Sequence, residues 1–158
     1  VSTSAVARIK DVVVSARARR FPARMDAFPA LAAFAEAACR DAGLGRDDVL
    51  RLRLVLEELF TNTVRHGHGG DSDRPVEVAL EVTPRKITLV YEDTAPPFDP
   101  LAPPASTDAA DTVPVGRLGL ALVRGLARDP TYERVEGRNR LRLSLYGSPE
   151  PPGARPPS

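Results

Sequence analysis

Glu58 and Asn62 stand four residues apart in the strongly helical stretch Leu54-Val55-Leu56-Glu57-Glu58-Leu59-Phe60-Thr61-Asn62-Thr63-Val64-Arg65-His66-Gly67. On a helix that spacing sets their side chains in one row, with His66 a turn further along, just beside the apolar stripe. A carboxylate and an amide then meet at the rim of a core; a solvated helix edge shows the same spacing, so the pattern alone leaves both readings open. A second candidate is Gly116-Arg117-Leu118-Gly119, which runs directly into Leu120-Ala121-Leu122-Val123. A glycine-bearing turn that opens a helix can cradle an anion, because the first-turn N–H groups are unpaired and the helix dipole is positive there. The alternative is a turn and nothing more.

The elements that must position these groups follow from periodicity. Leu52, Val55, Leu56, Leu59 and Thr63 recur at helical spacing, widened by Phe60 and Val64, so this face of the organising helix packs on a core. Asp47 or Asp48 is its expected cap, and Gly67, Gly69 and Gly70 stop it. Upstream, Val12-Val13-Val14 and an alternating Ala/Arg run to Phe21 predict a strand with one wet face. Phe28, Leu31, Phe34 and Ala38 predict a helix over Asp26 to Ala42 that closes at Gly43, with Cys39 packed near its end. Downstream, Val76 to Val82 and Ile87 to Tyr91 read as a hairpin joined through Thr83-Pro84-Arg85-Lys86.

From Asp93 to Val115 the prolines allow no regular element, and a loop of this length is a lid, a binding loop or disordered. The apolar helix from Leu120 to Ala127 ends near Asp129-Pro130, and strands at Thr131 to Val135 and Arg140 to Leu145 flank a turn containing Gly137. Residues 1–7 and 148–158 read as flexible tails around a single domain over 8–147. Mixed helices and strands in this order predict an α/β fold: a two-layer sandwich of a mixed, mainly antiparallel sheet with helices on one face.

Composition narrows the classes. A chain of 158 residues is large enough for a hydrophobic core without staples, and a single cysteine excludes an internal disulfide framework. No Cys/His cluster offers a zinc site, no apolar run approaches the ~18 residues of a membrane span, and the start of the chain has no signal-peptide core. A cytoplasmic setting is expected. Arg8, Lys10, Arg17, Arg19, Arg20 and Arg24 make the first segment basic, a patch able to attract an acidic partner. The net charge of +1 and the few aromatics argue against nucleic acid as the main ligand.

Three stretches in order resemble the ATP-binding domain of the GHKL superfamily, which includes gyrase, chaperone, histidine-kinase and MutL ATPases. They are most similar to the small anti-sigma-factor serine/threonine kinases of bacteria. Glu57-Glu58-Leu59-Phe60-Thr61-Asn62-Thr63-Val64-Arg65-His66-Gly67 matches the N-box, Asp93-Thr94-Ala95-Pro96-Pro97-Phe98-Asp99-Pro100 the first glycine box, and Gly116-Arg117-Leu118-Gly119-Leu120 the second. The resemblance implies the Bergerat ATP-binding fold, ATP or ADP with Mg²⁺ as cofactors, and a lid at about 99–115.

It also implies roles. Glu58 would be the catalytic base that accepts a serine hydroxyl proton, and Asn62 would give its side-chain oxygen to Mg²⁺. Asp93 would accept a hydrogen bond from the adenine amine, with Ala95 and Phe98 beside it. Gly116, Arg117, Leu118, Gly119 and Leu120 would meet the phosphates, with Arg65 and His66 approaching them from the helix end. Ala95 and Arg117 stand where the family usually has glycine. In the anti-sigma group such a protein binds a sigma factor as a homodimer and phosphorylates a STAS-domain anti-anti-sigma protein. The alternatives are an ATP/ADP-binding interaction module with little catalysis and a kinase of a STAS protein in a pathway without a sigma factor.

Overall fold

The computed structural model describes residues 12–102 and 115–147, for 115–118 the backbone alone. Its helices are α1, Phe28–Asp41, α2, Arg46–Thr61, and α3, Val115–Leu126. Its strands are β1, Ser15–Pro22, β2, Pro75–Val82, β3, Lys86–Asp93, β4, Arg128–Val135, and β5, Arg138–Tyr146. They form one sheet in the order β1-β2-β3-β5-β4, with helices packed on one side. This is the expected two-layer α/β fold, and each strand pairing is antiparallel. Between β3 and β4 the chain passes through α3, so β4 is set down at the sheet edge and β5 returns beside β3 through the two-residue turn Glu136-Gly137.

Strand alternation builds the core. Val76, Val78, Leu80 and Val82 of β2, Ile87, Leu89 and Tyr91 of β3, and Leu141, Leu143 and Leu145 of β5 are buried toward the helices. Against them lie Leu31, Ala35, Ala38 and Cys39 of α1 and the stripe Leu52, Val55, Leu56, Leu59 and Phe60 of α2, with Thr63 and Val64 continuing it. The opposite face of the sheet carries a row of charges across every strand: Arg20 pairs with Glu77, Glu77 and Glu92 share Arg138, and Arg140 pairs with both Glu92 and Glu133.

Several boundaries differ from expectation for identifiable reasons. Val12, Val13 and Val14 precede β1 and are exposed, because β2 ends at Val82 opposite Ser15 and leaves them no ladder to join beyond the bond from the Val14 N–H to the Val82 carbonyl at 2.8 Å. Helix α1 begins at Phe28 after a 3₁₀ turn at Met25–Ala27, with proline in its first turn. It closes as expected: Gly43 takes φ 73° while the Leu44 N–H bonds the Cys39 carbonyl and the Gly43 N–H that of Arg40, a Schellman end. Gly45, not an aspartate, caps α2; Asp47 and Asp48 sit in its first turn, where carboxylates favour the dipole. Helix α3 starts at Val115, so Gly116 to Gly119 lie inside its first turns rather than in a turn before it. Asp129 and Pro130 belong to β4, at a register break between Arg128 and Thr131, a place where an edge strand tolerates proline. The expected tails at 1–7 and 148–158, and lid residues 103–114, lie outside the described residues.

Candidate functional site

The organising helix does not end at Thr61. It continues as a π-helical segment over Asn62–Gly67, marked by the bond from the His68 N–H to the Thr63 carbonyl at 2.9 Å. Such wide turns are rare and concentrate at functional sites. Together with Leu59 of α2, the segment lays Asn62, Thr63, His66 and Gly67 along one wall of a cavity of about 550 Å³. Tyr91 and Asp93 at the end of β3, the loop from Ala95 to Pro100 with Ala102, Leu120 and Arg124 of α3, and Tyr132, Asn139 and Leu141 also line it.

The floor is a polar network in an otherwise apolar place. Thr63 Oγ1 lies 2.8 Å from the Tyr91 hydroxyl and 2.8 Å from Asp93 Oδ2, and it also reaches back to the Leu59 carbonyl at 3.0 Å. Burial pushes the Tyr91 phenol far above its ordinary pKa, so it remains a donor toward Thr63. Asp93 Oδ1 accepts from the Ala95 N–H at 3.1 Å and from Asn139 Nδ2 at 2.8 Å. With donors from three elements fixing it, the Asp93 carboxylate can offer a ligand only acceptance of a hydrogen bond, which suits an exocyclic amine.

Asn62, His66, Asp93, Ala95, Phe98 and Leu120 therefore share one cavity. The Asn62 Nδ2 is buried with no partner among the described residues, and Phe98 is 53% exposed at the rim. Glu58 is not among the described lining residues: its carboxylate rests against the backbone of Gly119, where a side chain would collide with it. Arg65 is exposed on the helix and lies outside that lining too. Gly116, Arg117 and Leu118 contribute backbone to the first turn of α3. Ala95 is 2% exposed, and its methyl fits because position 67 is glycine; a Cβ there would stand 2.7 Å from that of Ala95.

Thr63, Tyr91, Arg124, Tyr132, Arg134 and Asn139 were not anticipated at the site. By its spacing Thr63 reads as part of the apolar stripe of the helix. Asn139 carried a readable signal: it occupies the inward row of β5 shared with Leu141, Leu143 and Leu145, where a polar side chain needs partners.

A family model described as a histidine kinase-like ATPase domain matches residues 21–145. The chain belongs to that family, and so to the GHKL class of folds. It is 31% identical over 102 residues to the serine/threonine-protein kinase BtrW of Bordetella bronchiseptica, covering 63% of this chain and 71% of that one. It is 26% identical over 102 residues to the serine-protein kinase RsbW of Listeria innocua, covering 61% of this chain and 65% of that one. Among solved structures it is similar to the RsbU and RsbW domains of Rv1364c from Mycobacterium tuberculosis, with a TM-score of 0.57 and 16% identity over 84% of this chain and 33% of that chain. At that identity the likeness bears on the fold alone. No described helix is long and apolar enough to cross a membrane.

Proposed function

We propose that this protein is an ATP-dependent serine/threonine-protein kinase that acts as an anti-sigma factor, phosphorylating a STAS-domain antagonist of the sigma factor it binds, in the cytoplasm and as a homodimer. The observation that carries the nucleotide reading is the Asp93 carboxylate, pinned at the cavity floor as an acceptor and facing a wall that carries Asn62. The kinase reading draws on two relatives named as kinases.

Asp93 would take the amine of adenine, and Phe98 and Leu120 would cover the base with apolar surface. The backbone N–H groups of the first turn of α3, from Gly116, Arg117, Leu118 and Gly119, would face the phosphates. Asn62 would offer a magnesium site its side-chain oxygen, since Mg²⁺ takes oxygen ligands and keeps waters, while its buried Nδ2, with no partner among the described residues, remains a donor. Mg²⁺, when bound with the nucleotide, neutralises charge on the phosphate oxygens. Glu58 would accept the proton of the attacking serine hydroxyl. Its rest against Gly119 rather than in the cavity is what favours the second reading, an ATP- or ADP-binding interaction module with little catalysis.

Calorimetry with Mg-ADP and transfer of labelled γ-phosphate to STAS-domain proteins test the proposal together. Wild-type protein should bind and transfer, Asp93→Ala should lose binding, and Glu58→Gln should bind but transfer roughly 10²–10⁴-fold more slowly. Binding without transfer in wild type would move the assignment to the interaction module; no binding would remove the site.

A further inference from the structure

Asn139, the second residue of β5, stands directly opposite Asp93 in the ladder between β3 and β5. It is 7% exposed, and both ends of its amide are spent on the cavity wall. Nδ2 donates to Asp93 Oδ1 at 2.8 Å and lies 3.2 and 3.0 Å from the carbonyl oxygens of Ala95 and Pro96. Oδ1 accepts from the Phe98 N–H at 3.1 Å, the Tyr132 hydroxyl at 2.6 Å and the Arg134 guanidinium at 3.1 Å. Arg134 also donates to the Ala95 carbonyl at 2.8 Å.

We propose that Asn139, braced by Tyr132 and Arg134, is the positioning residue that holds Asp93 and the loop from Ala95 to Phe98 in their base-recognising form, and thereby sets the preference for an amino-bearing base. The proposal rests on the nucleotide reading above. Its chemistry is directional. The atoms around Nδ2 are a carboxylate and two carbonyls, all acceptors, while those around Oδ1 include a backbone N–H and a guanidinium, which only donate. One orientation of the amide satisfies both ends; the flipped one would set its oxygen against three acceptors and its NH₂ against the Phe98 N–H and the Arg134 guanidinium, with only the Tyr132 hydroxyl able to accept. Asp93 Oδ1 then holds two donors, from Asn139 and Ala95, and Oδ2 holds one, from Thr63. Oδ2 is left with the lone pair that meets the ligand.

Replacing the donor reverses this. In Asn139→Asp two carboxylates would face each other across the ladder and share a proton, so the Asp93 position could donate as well as accept. Hypoxanthine, which presents an oxygen where adenine presents an amine, would then compete. In Asn139→Ala the loop loses its anchor, and the Phe98 N–H loses its acceptor.

Calorimetric affinities for Mg-ADP and Mg-inosine diphosphate, and residue-resolved amide exchange without nucleotide, test the proposal on the full chain. In Asn139→Asp and Asn139→Ala the adenine preference should fall roughly tenfold or more, the scale of one buried hydrogen bond left unmade. In Asn139→Ala the Phe98 amide should exchange faster by a similar factor while Leu89 and Leu143 keep their protection. Arg134→Lys, which retains a donor, should keep more of the preference than Arg134→Ala. An adenine preference unchanged in both Asn139 variants, or faster exchange spread evenly through the core strands, overturns the positioning role while leaving the nucleotide site standing. A wild-type protein without affinity for Mg-ADP overturns both.

Discussion

A methyl group added at Gly119 would enter the space of the Glu58 carboxylate, whereas one added at Gly125, further along the same helix, meets nothing within 4 Å. Both positions lie in α3, where alanine is favoured over glycine by about 1 kcal/mol, so neither variant should lose the fold through propensity. Gly119→Ala is expected to push the Glu58 carboxylate off the helix and to slow phosphoryl transfer about as much as Glu58→Gln does. Gly125→Ala should transfer at the wild-type rate. Paired measurements of transfer rate and thermal midpoint check this: equal activity in the two variants would mean that Glu58 does not need its resting place. The glycine that the second motif supplies was readable in the sequence as backbone for an anion; that it also makes room for a carboxylate from another helix was not. Contacts of that kind depend on how two helices cross, which periodicity does not encode.

The elements were more legible than their ends. Alternation in β2 and β3 and the apolar stripe of α2 located their core faces, because burial imposes those periods directly. The π-helical continuation over Asn62–Gly67 carries no periodic signal of its own, since the backbone widens over only a few residues. Without it Thr63 reads as one more buried stripe residue, whereas in the fold its hydroxyl reaches Asp93. Gly137 marks the Glu136-Gly137 turn in the sequence, but Glu136 also adopts a positive φ of 50°, beside 77° at Gly137. That pair of angles is the tight hairpin turn in which asparagine precedes glycine most comfortably. Glu136→Asn should therefore stabilise the protein by roughly 0.5–1 kcal/mol, part of the cost of a left-handed backbone at an ordinary residue. Urea denaturation would show a higher midpoint with an unchanged slope; a lower midpoint would mean that Glu136 makes a compensating contact.

At the scale of the molecule, one core serves both layers, and α2 belongs to the core and the site at once. Phe60 is fully buried, with its ring centroid 6.0 Å from that of Phe28 at the start of α1. Phe60→Ala is expected to cost about 3–5 kcal/mol, a large part of the ~5–15 kcal/mol that holds a domain together. The loss should be felt across the whole described fold in one cooperative transition, measured as coincident unfolding by far-ultraviolet circular dichroism and tyrosine fluorescence. Two separated transitions would show that the helical layer and the sheet do not share their stability. The charged row on the other face should matter less, because exposed ion pairs contribute little each and are screened by salt.

The contact between Gly67 and Ala95 makes two distant motifs share one allotment of space. A methyl group can stand on either side of it, but with the backbone where it is there is no room for one on both. Alanine in the loop after β3 is thus a condition placed on the end of the organising helix: whichever residue follows His66 must be glycine for as long as position 95 is not. A chain of this family with a side chain at both places would have to part its helix end from the loop after β3. Judging either motif by its own agreement with a pattern therefore misses the constraint, which belongs to neither position alone.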